Sequence, residues 1–154
     1  MTLKDVIRTM EVVASHQPSI KMVVENDVFR LNSYPDARYG VFAWVQGQHS
    51  ASVDSSVVNY TFTMLYIDRL KADQSNQIEI QSVGIQTLDN IIRKLDDLGL
   101  FADSSYTFQV FNQRFLDECA GVFCNITLSV PVNTLCPEDF GDFDNSFNDD
   151  FKIF

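Results

Sequence analysis

The stretch that decides the fold runs from Gln74 to Gly99, QSNQIEIQSVGIQTLDNIIRKLDDLG. Within it Ile78, Ile85, Leu88, Ile92 and Leu95 recur three, four or seven residues apart. That spacing gathers side chains on one face of an α-helix. Ile80, Val83, Ile91 and Leu98 widen the stripe. Ser75 is placed to cap the start, and Gly99 suits the left-handed position just past the end. Roughly 22 residues at ~1.5 Å each give a rod on the order of 33 Å long, enough to cover a small sheet.

The chain before this helix is strand-like. Val57 to Asp68 alternates, with Val58, Tyr60, Phe62, Met64 and Tyr66 on one parity and Asn59, Thr61 and Thr63 on the other. Such a pattern predicts one buried and one wetter face. Tyr39 to His49 is apolar on both parities at first (Val41, Ala43 and Val45 against Phe42 and Trp44), so its start is expected to be covered on both sides. The polar connector Gly47–Ser56 is too short for a parallel crossover, so these two strands are expected to pair antiparallel. Further upstream, Ile20–Val24 and Val28–Leu31 are short β-prone runs around Glu25-Asn26-Asp27. Thr2 to His16 reads as a first helix, with Leu3, Val6, Ile7, Met10, Val13 and Ala14 as its apolar stripe. Thr2 and Asp5 are spaced as a capping box, and Pro18 ends the helix.

After the long helix, Tyr106–Gln113 and Cys119–Pro131 alternate as a second hairpin. The predicted order is α-β-β-β-β-α-β-β. It describes an α+β domain, a mainly antiparallel sheet with an N-terminal helix and one long central helix on one face. A single domain is expected over residues 1–136, with a separate arm at 137–154.

Composition narrows the function. The 154 residues carry a formal net charge of -10. A balance of that sign gives no general attraction to phosphate backbones or anionic lipid. No apolar run approaches the ~18 residues of a membrane helix. The start, MTLKDVIRTM, is amphipathic and contains acid, unlike a signal peptide. Cys119, Cys124 and Cys136 form no CxxC pair and are expected as free thiols, the first two on opposite faces of one strand. His16 and His49 are the only histidines, and neither has a motif partner. No HExxH, GxSxG, P-loop or GxGxxG pattern occurs, so no catalytic residue, metal ligand or cofactor site is expected. Trp44 reads as core.

The arm, PEDFGDFDNSFNDDFKIF, places Phe140, Phe143, Phe147, Phe151 and Phe154 three or four residues apart among Asp and Asn. Glu138, Asp139, Asp142, Asp144, Asp149 and Asp150 against Lys152 leave it at -5. Large rings at regular spacing are costly to leave in water. These five phenylalanines are therefore the expected partner-binding residues, docking on the body, on a sister subunit or on another protein.

The layout resembles the tail-terminator and head–tail joining proteins of tailed bacteriophages. Four stretches carry a closer likeness to a virion protein family of crAss-like phages. They are Tyr39–Trp44 (YGVFAW), Phe62–Leu70 (FTMLYIDRL), Ile80–Gly84 (IQSVG) and Phe111–Phe123 (FNQRFLDECAGVF). The resemblance covers roughly residues 1–136 and leaves the arm outside. It implies a homo-oligomeric neck ring, of roughly twelve copies in preference to six, in which each subunit uses two different patches. The sheet would face a channel through which DNA passes without specific binding, and the portal and other neck or tail rings would be partners. The protein would be made in the host cytoplasm and reside in the virion. The connector Gln46–Ser56 and the loop Leu70–Gln77 are the expected neighbour contacts. The alternative is a cytoplasmic, non-enzymatic adaptor that binds one protein through the arm.

Overall fold

The structure is a computed structural model, and it describes residues 1–26, 39–100, 103–114 and 119–132. In chain order, helix Leu3–Ser15 (α1) leads to strands Met22–Glu25 (β1), Val41–Gln46 (β2), Ser50–Ala51 (β3) and Val57–Arg69 (β4). The long helix Gln77–Asp97 (α2) follows, then the hairpin Phe108–Arg114 (β5) and Cys119–Pro131 (β6). The strands form one sheet in the order β1-β2-β4-β6-β5, with β3 also on β4. Every pairing is antiparallel except that of β1 with β2. The fold is α+β, and its element order is the predicted one. The expected strand Val28–Leu31, Cys136 and the arm 137–154 lie outside the described residues. The short β3 forms within the stretch read as a connector.

Both helices lie on one face of the sheet. Val6, Met10 and Ala14 of α1 and Leu88, Ile91, Ile92 and Leu95 of α2 share a core with Phe42, Phe62, Met64, Tyr66, Val122, Ile126 and Leu128. The opposite face carries a smaller cluster of Val24, Val41, Ala43, Leu65, Ile67, Phe111 and Cys119. This explains the double apolar parity at the start of β2. Phe42 and Trp44 look toward the helices, and Val41 and Ala43 look away. Cys119 and Cys124 lie on opposite faces, both buried.

α1 begins as its sequence dictates. The Thr2 hydroxyl accepts from the Asp5 N–H, and the Asp5 carboxylate accepts from the Thr2 N–H at 2.8 Å. α2 departs from expectation in two respects. Its N-cap is Asn76, not Ser75. The Asn76 amide is occupied in closing the preceding loop, accepting from the Lys71 N–H at 2.8 Å and donating to the Arg69 carbonyl at 3.1 Å. The buried face is also rotated. Ile80, Gln81, Gly84, Thr87, Leu88, Ile91, Ile92 and Leu95 point inward, whereas Ile78, Ile85 and Leu98 are 74%, 37% and 50% exposed. The other end is as expected. Gly99 takes φ +79°, and the Leu100 N–H returns to the Leu95 carbonyl at 3.0 Å.

The rotation has a local cause. α2 crosses the sheet at Gly84, directly over Tyr66 of β4 and Val122 of β6. A Cβ there would stand 2.8 Å from the Tyr66 ring and 2.9 Å from a Val122 methyl, so only glycine lets the helix lie this close. Gly121 meets the same strand from within the sheet, where a Cβ would overlap the Tyr66 carbonyl oxygen.

Candidate functional site

Two surfaces carry chemistry that the core does not consume. The first lies on the face of the sheet turned away from the helices, where β4 and β6 run side by side over their whole length. The register sets Asn59 opposite Ser129, Thr61 opposite Thr127 and Thr63 opposite Asn125. Each pair is joined by its side chains. Ser129 Oγ donates to Asn59 Oδ1, the Thr61 and Thr127 hydroxyls meet at 3.3 Å, and Thr63 Oγ1 donates to Asn125 Oδ1 at 2.6 Å. Cross-strand polar pairs of this kind stabilise a sheet modestly. They also leave a partly exposed stripe of six uncharged side chains.

The edge of β4 beside this stripe is sealed without a strand. The Thr61 carbonyl accepts from the Gly47 N–H at 2.8 Å, and the Thr61 N–H donates to His49 Nδ1 at 3.2 Å. The His49 ring lies edge-on to Tyr60, 5.3 Å between centroids, and its Nε2 meets Gln46 Oε1 at 2.9 Å. An imidazole thus fills the gap between β2 and β3. In this arrangement Nδ1 is the acceptor and Nε2 the donor, so His49 serves the sheet and is not a base aimed at solvent.

The second surface is an open groove of about 590 Å³ between the C-terminal halves of α1 and α2. Val12, Val13 and Leu98 form its apolar walls, with His16, Lys94 and Asp97 on its rim. His16 turns its Nδ1 back to the Val12 carbonyl at 2.7 Å, as its place at the helix end predicts. Beyond the groove, on the β5 side of α2, Asp89 accepts from the Tyr106 hydroxyl and pairs with Arg93 at 2.8 Å. Partial burial opposes ionisation of Asp89, but these two hydrogen bonds outweigh it and hold the carboxyl below its usual range. Burial, then the bond to Asp89, pushes Tyr106 up to about 12. Burial likewise pushes the Cys124 thiol up to about 11, so it is no nucleophile at neutral pH.

Among the described residues no group of His, Cys, Asp or Glu is placed to hold a metal ion, and no helix is long and apolar enough to cross a membrane. Trp44 is buried, edge-on to Phe62, with its Nε1 donating to Glu11 Oε1 at 2.9 Å, which is a core role. The loop Leu70–Gln77 satisfies much of its own polarity through Asn76 and through Asp73, which accepts from the Ser75 N–H. The connector Gln46–Ser56 folds back onto β4 through β3 and carries Val53 fully exposed at its turn. Phe140, Phe143, Phe147, Phe151 and Phe154 lie outside the described residues. Sequence reasoning saw that Asn59, Thr61 and Thr63 shared a parity, but did not pair them with Asn125, Thr127 and Ser129. The signal was present as two polar parities of matching spacing. No protein-family model and no curated protein matches the chain.

Proposed function

We propose that this chain is a structural virion protein that closes a ring in the neck of a tailed phage, joining portal to tail and leaving a channel for DNA. The observation that supports this most is the uncharged stripe on the sheet face turned away from the helices. Proteins grip DNA through Lys and Arg on phosphates, assisted by free hydroxyl and amide donors. In the stripe the Ser129 and Thr63 hydroxyls are already committed to Asn partners, and none of the six residues is cationic. Turned toward an axis, such a face lets a duplex slide. The acidic body adds repulsion.

The stretches that carry the resemblance also meet in space. Phe42 of β2 pairs with Tyr66 of β4, Tyr66 pairs with Val122 of β6, and Gly84 of α2 lies over both. These stretches thus contribute to the same core. Ile78, Ile85 and Val110 remain exposed on α2 and β5, as apolar material for a subunit interface. In this proposal copies stand round the axis, roughly twelve in preference to six, and the arm phenylalanines hold a neighbouring ring subunit. The reading requires no cofactor and no reaction.

The direct test is location. Cryo-electron imaging of intact particles, with an antibody fragment against the body as a marker, should find this polypeptide at the portal end. Particles that carry a complete neck without it would refute the proposal.

A further inference from the structure

The sheet face turned away from the helices has an apolar end whose burial the strands alone do not explain. Val41, Ala43, Ile67 and Cys119 are 0% exposed there, and Val24 is 1% exposed. The described members of this cluster are strand residues, joined by Tyr39 on the approach to β2, and none belongs to a helix. Neighbours on one sheet face shield each other's flanks, but their tips stay open until another layer lies on them. Residues 27–38 leave and rejoin the described chain beside this patch. They leave after Asn26, whose φ of +50° turns the chain out of β1 and whose Oδ1 accepts from the Gln46 N–H at 3.2 Å, at the end of β2. They rejoin at Tyr39, which packs against the cluster at the start of β2.

We propose that residues 27–38 occupy this apolar end of the open face, as a second layer over β1, β2 and β4. The topology supports this independently of burial. β1 and β2 are parallel neighbours, so their connection returns across one face of the sheet. β4 and β5 are also parallel, with β6 between them, and α2 lies in their connection. Both connections step in the same direction across the sheet, but β1 and β2 run opposite to β4 and β5. Crossovers between parallel strands are right-handed in about 98% of cases. Two right-handed crossovers that step the same way on oppositely directed strands lie on opposite faces. With α2 on one face, residues 27–38 fall on the other. The return along β2 is about 17 Å at ~3.3 Å per residue. Twelve residues reach about 40 Å, which leaves chain to spread over the patch. The segment is apolar enough for the seat, with Val28, Phe29, Leu31 and Tyr34, and its Asp27 and Asp36 are balanced by Arg30 and Arg38. Other segments fit less well. The arm starts beyond Val132, held to the Ser56 carbonyl at the far end of β4, about 33 Å from Ile67 at ~3.3 Å per residue. It also brings a charge of -5, which an apolar seat does not favour. Residues 115–118 are held between Arg114 and Cys119, which pair with each other, and β1 lies three strands past β6, about 14 Å away. The assignment does not rest on the ring reading, and it divides the open face. Most of the polar stripe lies past the end of β2, where Gln46 pairs with Phe62, so residues 27–38 leave it clear for a duplex or a neighbour.

The test is nuclear Overhauser spectroscopy on the full-length chain with the methyl groups of Ala, Ile, Leu and Val labelled. Cross-peaks are expected from Val28 or Leu31 to the methyls of Val41, Ala43 or Ile67, within one copy and unchanged on dilution. Cross-peaks that place Val28 and Leu31 on the helix side of the sheet, or none from either to the cluster, would overturn the assignment. So would contacts to Ile67 from the arm phenylalanines in their place, or contacts made only between labelled and unlabelled copies. Thiol alkylation, read by peptide mass spectrometry, gives a second measure. Val28→Ser combined with Leu31→Ser should speed native-state alkylation of Cys119 about tenfold and leave Cys124, on the helix face, unchanged. A Cys119 rate equal to that of the parent would overturn the assignment. A simultaneous rise at Cys124 marks general loss of the fold, and the cross-peaks of the parent chain then decide.

Discussion

Tyr66 lies beneath Gly84, and the 2.8 Å that a Cβ on this glycine would leave to the tyrosine ring fixes how closely α2 approaches the sheet. Replacing Gly84 by alanine gains about 1 kcal/mol of helix propensity. It also forces a buried ring and the Val122 methyl apart, and overpacking of that kind costs about 1–3 kcal/mol. Gly84→Ala should therefore destabilise the protein by about 1 kcal/mol, a fall in Tm of about 2–4 °C for a chain of this length. Thermal unfolding followed by circular dichroism checks the sign. A rise in Tm would show that the helix has room to move.

The rotated face of α2 makes a paired prediction. Leu88 is fully buried, so Leu88→Asp places an unpaired charge in the core and should abolish folding. Ile85 and Ile78 face outward, so Ile85→Asp and Ile78→Asp should each leave stability within about 0.5 kcal/mol of the parent. Soluble yield and melting of the three variants give the comparison. A collapse of Ile85→Asp would restore the face that simple periodicity suggested.

Most of the fold was legible because burial repeats with the period of each element. β4 and β6 announced themselves by alternation, and α1 by its capping box and stripe. The error on α2 has a physical origin. Spacing counts apolar side chains, but the tightest contact is made by Gly84, which has none, and Gln81 and Thr87 are buried beside it. Thr87 is accommodated because its hydroxyl meets Ser19 Oγ at 2.6 Å, a contact 68 residues away in sequence. The polar stripe was half visible. Each strand showed its own polar parity, but the register joining Thr63 to Asn125 is set by the whole sheet. The sealing of the β4 edge by His49 was invisible, since nothing local distinguishes an imidazole that completes a sheet from one in a loop.

The neutral stripe predicts weak interaction with DNA that added charge would change. The parent should show no retention of duplex DNA at low ionic strength. Thr63→Lys combined with Thr127→Lys, on half-buried positions of the open face, should create salt-sensitive binding. Gel shift across a salt series is the measurement. Tight binding by the parent would contradict a sliding surface.

Asp89 gives the pH dependence. Its carboxyl is held below the usual range, against partial burial, by the bonds from Tyr106 and Arg93. A depressed carboxylate stabilises the fold above its unfolded value of about 4 and loses that contribution as pH falls through the lower folded value. Tyr106 behaves in the opposite sense. Burial and Asp89 raise it to about 12, so its share is complete below its ordinary value of about 10 and is lost as pH rises through the folded value. Asp89→Asn should lower Tm at neutral pH by about 2–4 °C, for about 1 kcal/mol of charge-assisted bonding, and flatten the decline below about pH 4. Melting curves from pH 3 to 8 on both chains decide it. Parallel acid limbs would remove Asp89 from the account.

The central proposal is that many copies of this chain close a circle around DNA. Native mass spectrometry and electron microscopy of the full-length chain, incubated with purified portal, measure this most directly. The account predicts a closed ring on the portal, of roughly twelve copies, with an open centre and the uncharged stripe lining it. A chain that stays monomeric both alone and on the portal, or a ring whose sheets face outward, would contradict it.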